Sequence, residues 1–356
     1  MTKKVFLITG GAGFVGSQIA IKLKESKEDI TVIALDNLKR RGSELSLHRL
    51  KDHDVSFIHG DIRNKEDLES IGPIDCLIEC SAEPSVLASY QGSAGYVLNT
   101  NLFGTINCLD IAKKYGSDFI FLSTSRVYPI KSINAIKCYE TEKRYNISEQ
   151  QVLPGISEKG ISETFPLIGI RSLYGATKLC SEFIIQEYMD MYGIKGVINR
   201  CSLIAGPWQM GKTDQGVIAL WVAKHIYDDE LNYIGFGGKG KQVRDILHVE
   251  DLFSLLKIQM DRMNEICGQI FNVGGGQINS LSLKELTELC KRYTRKSIKI
   301  GRIEDNRPGD IKIFITDHSL VTQTLGWKPV IGCDEIIKET ADWIKNNREL
   351  LEPIFR

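Results

Sequence analysis

Tyr174 and Lys178, in the run Tyr174-Gly175-Ala176-Thr177-Lys178, open a stretch with helical patterning. Residues four apart lie on one helical face, so the phenol and the ammonium can share a site. A tyrosine ordinarily ionises at about 10, too high for a good base near neutrality, and an adjacent ammonium favours its phenolate. Such a pair suits taking a proton from an alcohol and returning it to a carbonyl oxygen. Alone, a Tyr-x-x-x-Lys pair is common on solvated helix faces, so its weight depends on its surroundings. Thr124, in Ser123-Thr124-Ser125-Arg126-Val127-Tyr128, stands at the C-terminal end of a predicted strand, residues 119–122. Open α/β sheets bind their ligands at that end. The Thr124 hydroxyl can donate to a substrate oxygen that shifts between alcohol and ketone; Ser123 or Ser125 could do the same.

Near the start of the chain, Gly10-Gly11-Ala12-Gly13-Phe14-Val15-Gly16 lies between a short β-branched run and a helical one. It satisfies G-x-x-G-x-x-G and, from Gly11, G-x-G-x-x-G. In that context the glycines permit a tight turn and close approach of backbone to a pyrophosphate, whose charge is stabilised by the helix N-terminus. Asp36 ends the second predicted strand twenty residues past Gly16, where a carboxylate can accept hydrogen bonds from an adenine ribose. The same charge repels a 2′-phosphate, which favours NAD over NADP, although Lys39, Arg40 and Arg41 follow closely. Asp61-Ile62, after the third strand, suits the adenine edge or else a simple helix cap. An oxidised nicotinamide would be a second positive charge in favour of the Tyr174 phenolate.

An anionic substrate needs local positive forks, because the 356 residues balance 45 lysines and arginines against 45 aspartates and glutamates. That balance offers no field to nucleic acid or to an acidic membrane surface. Arg244, in Gly240-Lys241-Gln242-Val243-Arg244-Asp245, and Arg307, in Asn306-Arg307-Pro308-Gly309-Asp310, can each clamp pyrophosphate oxygens bidentately. Either could equally be an ion-pair partner of Asp245 or Asp310. The six histidines and the scattered carboxylates show no metal-ligand spacing, so no metal is expected, and His248 reads as a packing residue at a helix start. Nine cysteines, odd in number and without a C-x-x-C pair, read as reduced cytosolic thiols. The first apolar run ends at Thr9-Gly10-Gly11, and no apolar stretch approaches the ~20 residues of a spanning helix. A cytoplasmic protein without a membrane segment is expected.

These groups must be positioned by a scaffold, and its pattern is legible. Short β-branched runs at residues 5–8, 31–35, 56–58, 76–79, 119–122, 197–199 and 269–273 alternate with amphipathic stretches. That alternation predicts an α/β fold, a Rossmann-type doubly wound parallel sheet, with a smaller, discontinuous C-terminal substrate-binding lobe. The expected division is residues 1–202 with 246–275 for the NAD-binding domain and 203–245 with 276–356 for the lobe. Residues 129–172 carry charged and glycine-containing pieces without clear periodicity, and a connection that long reads as a lid or an insertion.

Together these residues resemble the extended short-chain dehydrogenase/reductase family of NAD-dependent epimerases and dehydratases, from residue 4 to about residue 343. Within it the chain is most similar to the CDP-paratose (CDP-tyvelose) 2-epimerases. The pieces that carry this finer likeness are Asp36-Asn37-Leu38, His59-Gly60-Asp61-Ile62-Arg63-Asn64, Thr141-Glu142-Lys143-Arg144-Tyr145, Asp214-Gln215-Gly216 and the segment from Gly240 to Asp245. The resemblance implies Thr124, Tyr174 and Lys178 as the catalytic set. It implies Gly10, Gly13, Phe14, Val15, Asp36, Asn37, Asp61, Ile62, Ala82 and Asn101 as the lining of NAD, and Arg244 and Arg307 facing the nucleotide of a nucleotide sugar, here a CDP-sugar. It further implies a homo-oligomer, dimer or tetramer, working in polysaccharide biosynthesis. Pro129 and Ala205 depart from the family pattern, as does Ser81-Ala82-Glu83-Pro84, which leaves Glu83 as a candidate substrate contact. Sugar-nucleotide 4,6-dehydratases place Asp-Glu directly after the catalytic threonine; Ser125-Arg126 stand there instead, which argues against dehydration. The alternatives are a 4-epimerase or a one-way reductase using the same residues. A non-catalytic NAD-sensing protein would need the fold without the catalytic set.

Overall fold

The computed structural model describes residues 3–211 and 215–356. Asp214, one of the residues behind the finer resemblance, lies outside them. Two compact units are each assembled from separated stretches of chain. The first comprises Met1–Val127, Leu173–Arg200 and Phe253–Ile270; the second comprises Tyr128–Ser172, Cys201–Leu252 and Phe271–Arg356. The insertion is thus part of the second unit, as are residues 246–252 and 271–275, which the sequence pattern grouped with the first domain.

In the first unit, β1 (Lys4–Thr9), β2 (Ile30–Asp36), β3 (Ser56–His59), β4 (Cys76–Glu79) and β5 (Asp118–Thr124) pair in parallel, β1 with β2 and β4, β2 with β3, and β4 with β5. With strand Gly196–Cys201 beyond β5, the order is Gly196–Cys201, β5, β4, β1, β2, β3, within a sheet of seven strands. The chain runs outward from β1 through β2 to β3, then returns to build β4 and β5 on the other side. The reversal between β1 and β4 is the topological switch point at which such sheets bind ligands. Both faces of a parallel sheet are covered by helices, which is why these strands read as continuous apolar runs and not as alternation. Leu7, Leu77, Phe119 and Phe121 are fully buried in one cluster with Leu109 and Ala112 of helix Gly104–Tyr115 and Ile185 of helix Leu173–Tyr192. Each large apolar side chain withdrawn from water contributes about 1.5–3 kcal/mol.

The second unit holds a four-stranded sheet of Leu203–Ala205, Val243–His248, Ser280–Ser282 and Ile313–Phe314, the last pairing with Val243–His248. Helices Val217–Tyr227, Leu283–Thr294 and Cys333–Asn346 pack on one another. Helix Leu283–Thr294 starts with a reciprocal cap: Glu285 N–H donates to the Ser282 hydroxyl (3.1 Å) and Ser282 N–H to the Glu285 carboxylate (2.7 Å). Within the insertion, Cys138–Glu140 and Tyr145–Ile147 form an antiparallel hairpin. It is fastened down, not hung free: Arg144 donates to the Ser280 carbonyl (3.0 Å) and hydroxyl (2.6 Å), and Tyr145 N–H to the Lys241 carbonyl (3.2 Å). Those bonds make the insertion part of this unit. Among the described residues no helix is long and apolar enough to cross a membrane.

Candidate active site

After β1 the chain turns through Gly10, whose φ of 64° is left-handed; a Cβ there would lie 2.9 Å from the Cys80 carbonyl oxygen. A Cβ on Gly16 would come within 2.2 Å of the Gly10 carbonyl oxygen. The protein's own packing demands these two glycines. Gly13 differs: it caps helix Phe14–Ser26 with φ −68°, and a Cβ would meet only the Gly10 carbonyl oxygen, at 3.1 Å. No side chain caps this helix at Gly13, and the unmet N–H groups and positive dipole end of a helix start favour an anion. A glycine that the fold itself hardly needs, set at such a helix start, fits a backbone approached by pyrophosphate.

Asp36, at the end of β2, accepts from Ala12 N–H (3.1 Å) and Leu38 N–H (2.8 Å). Burial raises its carboxyl pKa, and those N–H groups, with that of Gly13, oppose the rise. The carboxylate therefore ties the glycine turn to β2 and keeps acceptor capacity for hydroxyls. Asp61 is more heavily engaged. It accepts from Asn37 Nδ2 (2.8 Å) and from the Arg63 backbone N–H (3.0 Å), Nε (2.9 Å) and Nη2 (2.5 Å). Burial alone would raise its pKa, but the Arg63 and Asn37 bonds bring it down to about 2. An adenine amine would have to share these oxygens. Ile62 is buried beneath them. Lys39, one of the cations able to meet a 2′-phosphate, sits 3.3 Å from the centroid of the Tyr96 ring.

Ala82 is half-buried in the loop after β4. Asn101 is fully buried in a π-helical turn, Asn99–Phe103; its side-chain Oδ1 accepts Glu83 N–H (2.7 Å), and its Nδ2 donates to the Glu83 carbonyl (3.1 Å) and to Thr177 Oγ1 (3.3 Å). Asn101 thus joins the loop after β4 to the helix bearing Tyr174 and Lys178. Glu83 has its carboxylate turned back on the loop, accepting Ser85 N–H at 3.1 Å.

Tyr174 is the second residue of helix Leu173–Tyr192 and Lys178 follows one turn later; both are buried. The Lys178 ammonium lies 4.0 Å from the centroid of the Phe121 ring and 3.5 Å from the Glu79 carboxylate. The helix packs on β5 and on the turn Ser125–Val127. Thr124 ends β5, buried, its hydroxyl oxygen accepting Arg126 N–H at 3.2 Å. Ser123 is committed elsewhere: its hydroxyl donates to the buried Glu182 carboxylate, which also takes three bonds from Arg200 (Nε at 3.2 and 3.0 Å, Nη2 at 2.7 Å). Adjacent strand residues point to opposite faces, so Thr124 does not share that ion pair, and Ser125 lies beyond the strand in the turn Ser125–Val127. Glu79, Glu182 and Arg200 were not singled out from the sequence. The signals were present: Glu79 is a charge ending an otherwise apolar strand, and Glu182 continues the four-residue spacing of Tyr174 and Lys178.

In the second unit, Arg244 donates to the carbonyls of Val243 (2.7 Å) and Ile311 (2.7 Å) and lies 3.5 Å from the Asp310 carboxylate. Its sequence neighbour Asp245 turns inward, fully buried, accepting from the Ser202 hydroxyl (2.6 Å) and Gly276 N–H (3.2 Å), and burial pushes its carboxyl pKa up. Arg307 is half-buried, and its carbonyl accepts Asp310 N–H at 3.1 Å. Arg244 thus has its guanidinium beside Asp310, whereas Arg307 touches Asp310 through its backbone. His248 is buried at the start of helix Val249–Asp261, its Nδ1 accepting Glu250 N–H at 3.2 Å and its Nε2 3.1 Å from a Glu339 carboxylate oxygen. Among the described residues no three histidine, cysteine, aspartate or glutamate side chains gather as a metal site.

The first unit thus combines a glycine-rich turn after β1, an acid at the end of β2 and a buried Tyr-x-x-x-Lys pair. Comparison with known proteins shows its family. The family model described as NAD dependent epimerase/dehydratase matches residues 6–274. The chain is 31% identical over 346 residues to the CDP-paratose 2-epimerase of Salmonella typhi, covering 95% of this chain and 98% of that one. It is 28% identical over 359 residues to the UDP-glucuronate 4-epimerase of Thermodesulfobacterium geofontis, covering 98% of each. Among solved structures, the UDP-glucose 4-epimerase of Thermotoga maritima with UDP-glucose superposes with a TM-score of 0.78 at 26% identity, covering 97% of this chain and 99% of that one. The protein belongs to the NAD-dependent epimerase/dehydratase family, and NAD is its cofactor.

Proposed function

We propose that this protein is a cytoplasmic epimerase that inverts CDP-paratose at C2 to give CDP-tyvelose for polysaccharide biosynthesis, acting as a homo-oligomer. The observation that carries the epimerase reading is the buried Tyr174–Lys178 pair, one helical turn apart, in the unit that holds the glycine-rich turn. The choice of sugar rests on the likeness, over 95% of the chain, to a CDP-paratose 2-epimerase.

The residues divide the work as follows. Gly10, Gly13, Phe14 and Val15 offer backbone to the pyrophosphate of NAD; Asp36, Asn37, Asp61, Ile62, Ala82 and Asn101 shape the rest of its cradle. When bound, NAD supplies an acceptor and donor of hydride. Tyr174, as phenolate beside the Lys178 ammonium, takes the proton of the C2 hydroxyl. Thr124 donates a hydrogen bond to the oxygen as it becomes a ketone. Arg244 and Arg307 hold the pyrophosphate of the substrate while the 2-keto sugar turns and presents its other face. Tyr174 then returns its proton to the oxygen of the inverted alcohol. No net redox occurs, so the cofactor is retained and not consumed. Dehydratases are among the relatives, but Ser125 and Arg126 follow Thr124 here, and neither supplies the paired acid and base that loss of water requires.

The test is proton NMR of the purified protein with CDP-paratose in deuterated water without added NAD. CDP-tyvelose should accumulate with hydrogen retained at C2. Deuterium at C2 would overturn hydride return in favour of proton abstraction at carbon. No conversion by NAD-loaded protein would overturn the choice of substrate, and turnover of UDP-glucose or UDP-glucuronate in its place would move the reaction to C4.

A further inference from the structure

β4 ends in a carboxylate where a strand covered on both faces ordinarily ends in an apolar group. Glu79 is fully buried, and its nearest charge is the Lys178 ammonium, 3.5 Å away and itself only 3% exposed. The remaining walls are the Phe121 ring of β5, the Thr105 hydroxyl and Cys108 thiol of helix Gly104–Tyr115, and the Ser81 N–H. The Ser81 N–H and the Thr105 hydroxyl help to hold the carboxyl pKa down after Lys178, although the Thr105 hydroxyl also donates to the Asn101 backbone carbonyl at 2.9 Å. Burial pushes the Glu79 carboxyl pKa up, and Lys178 is the first influence against it. A carboxylate kept in so dry a place, with one ammonium as its ion-pair partner and two neutral donors beside it, belongs functionally to that ammonium.

We infer that Glu79 is a positioning residue for proton transfer: it holds the Lys178 ammonium in place and limits how strongly that charge draws the proton from Tyr174. This rests on the reading of Tyr174 as the acid/base. The arithmetic of charge supports it. With Tyr174 as phenolate, Lys178 has two anionic neighbours. Once Tyr174 has taken the substrate proton, that partner is neutral and Glu79 alone compensates a buried cation. The carboxylate therefore keeps the site tolerable on both sides of the transfer, at the expense of a weaker pull on the phenol. Removing the negative charge reverses that trade.

The experiment is a pH titration of NAD-loaded protein, following phenolate absorbance and isolating the step that disappears with Tyr174→Phe. In Glu79→Gln that step should move to lower pH by about one unit, because one buried negative charge near the phenolate is gone. A side chain that merely packs would lower stability and leave the step in place. An unchanged step, or one moved to higher pH, overturns the inference. Should Glu79→Gln fail to fold, Glu79→Asp draws the carboxylate back by one carbon and should give a smaller shift in the same direction; no shift there counts equally against it. No sugar enters this titration. A shifted step in a protein that leaves CDP-paratose untouched supports the role of Glu79 and sinks only the choice of substrate.

Discussion

Replacing Glu182 with methionine removes the acceptor that fastens helix Leu173–Tyr192 to the sheet. Glu182 is fully buried and Arg200 only 4% exposed, and the carboxylate takes three bonds from Arg200 in addition to the Ser123 hydroxyl. It lies one turn beyond Lys178 and two beyond Tyr174 on the same helical face, so the anchor and the chemistry share one rigid element. Removing one partner of a buried ion pair costs about 3–5 kcal/mol. Arg200 keeps a further contact, which sets the expectation at the lower end, about 3 kcal/mol. With an unfolding entropy of about 2.1 cal/mol/K per residue over 356 residues, that is a fall in Tm of about 4 °C if the chain unfolds as one. The assay is a double-mutant cycle by circular dichroism on Glu182→Met, Arg200→Met and the pair together. The double variant replaces an ion pair by apolar groups of similar volume, and should be more stable than the sum of the singles by about 2 kcal/mol or more. Additivity within about 0.5 kcal/mol would refute the reasoning, since it would mean that Glu182 and Arg200 do not sense each other.

Four further outcomes are expected. Tyr174→Phe should lower turnover by at least about a hundredfold while leaving NAD bound, read by cofactor content after gel filtration; loss of both would point to misfolding instead. Gly13→Ala should fold with near-native Tm but hold NAD weakly, because its Cβ would approach only the Gly10 carbonyl oxygen at 3.1 Å and otherwise enter open space. Gly16→Ala should lose stability as well, its Cβ falling 2.2 Å from that same oxygen; calorimetry with and without NAD separates the two. Asp61, depressed to about 2 in the folded protein, contributes stability that is fully present above the ordinary carboxylate value near ~4 and is lost as pH falls through about 2. Its share is at most about 2 kcal/mol and is reduced by the partial exposure of Arg63, so Asp61→Asn should flatten the acid limb of urea-midpoint against pH below about pH 4.

How much of this was legible in the sequence depends on which physical signal each part carries. The central strands were readable because burial on both faces leaves a continuous apolar run: residues 76–79 are β4 itself, and residues 5–8 and 31–35 fall one residue inside each end of β1 and β2. The glycine turn was readable because backbone contacts enforce Gly10 and Gly16. The hairpin Cys138–Glu140 with Tyr145–Ile147 was not, since three-residue strands are too short to show a period and their fastening through Arg144 to Ser280 spans 136 positions of sequence. For the same reason the sequence pattern left the insertion beside its neighbours in sequence, whereas its contacts group it with the second unit. Arg244 shows a subtler limit. Its position beside Asp245 suggested that pair, but neighbours on a strand point to opposite faces, so Asp245 went to the interior and Asp310 became the carboxylate beside Arg244. Glu79 follows from the same rule. A charge at the end of an apolar strand gives no hint of its partner until β4 is laid beside β5 and the helix of Lys178 crosses behind them. What the sequence hides is the pairing of groups far apart in the chain, and in this protein those pairings, Glu79 with Lys178 and Glu182 with Arg200, surround the residues that its spacing had already exposed.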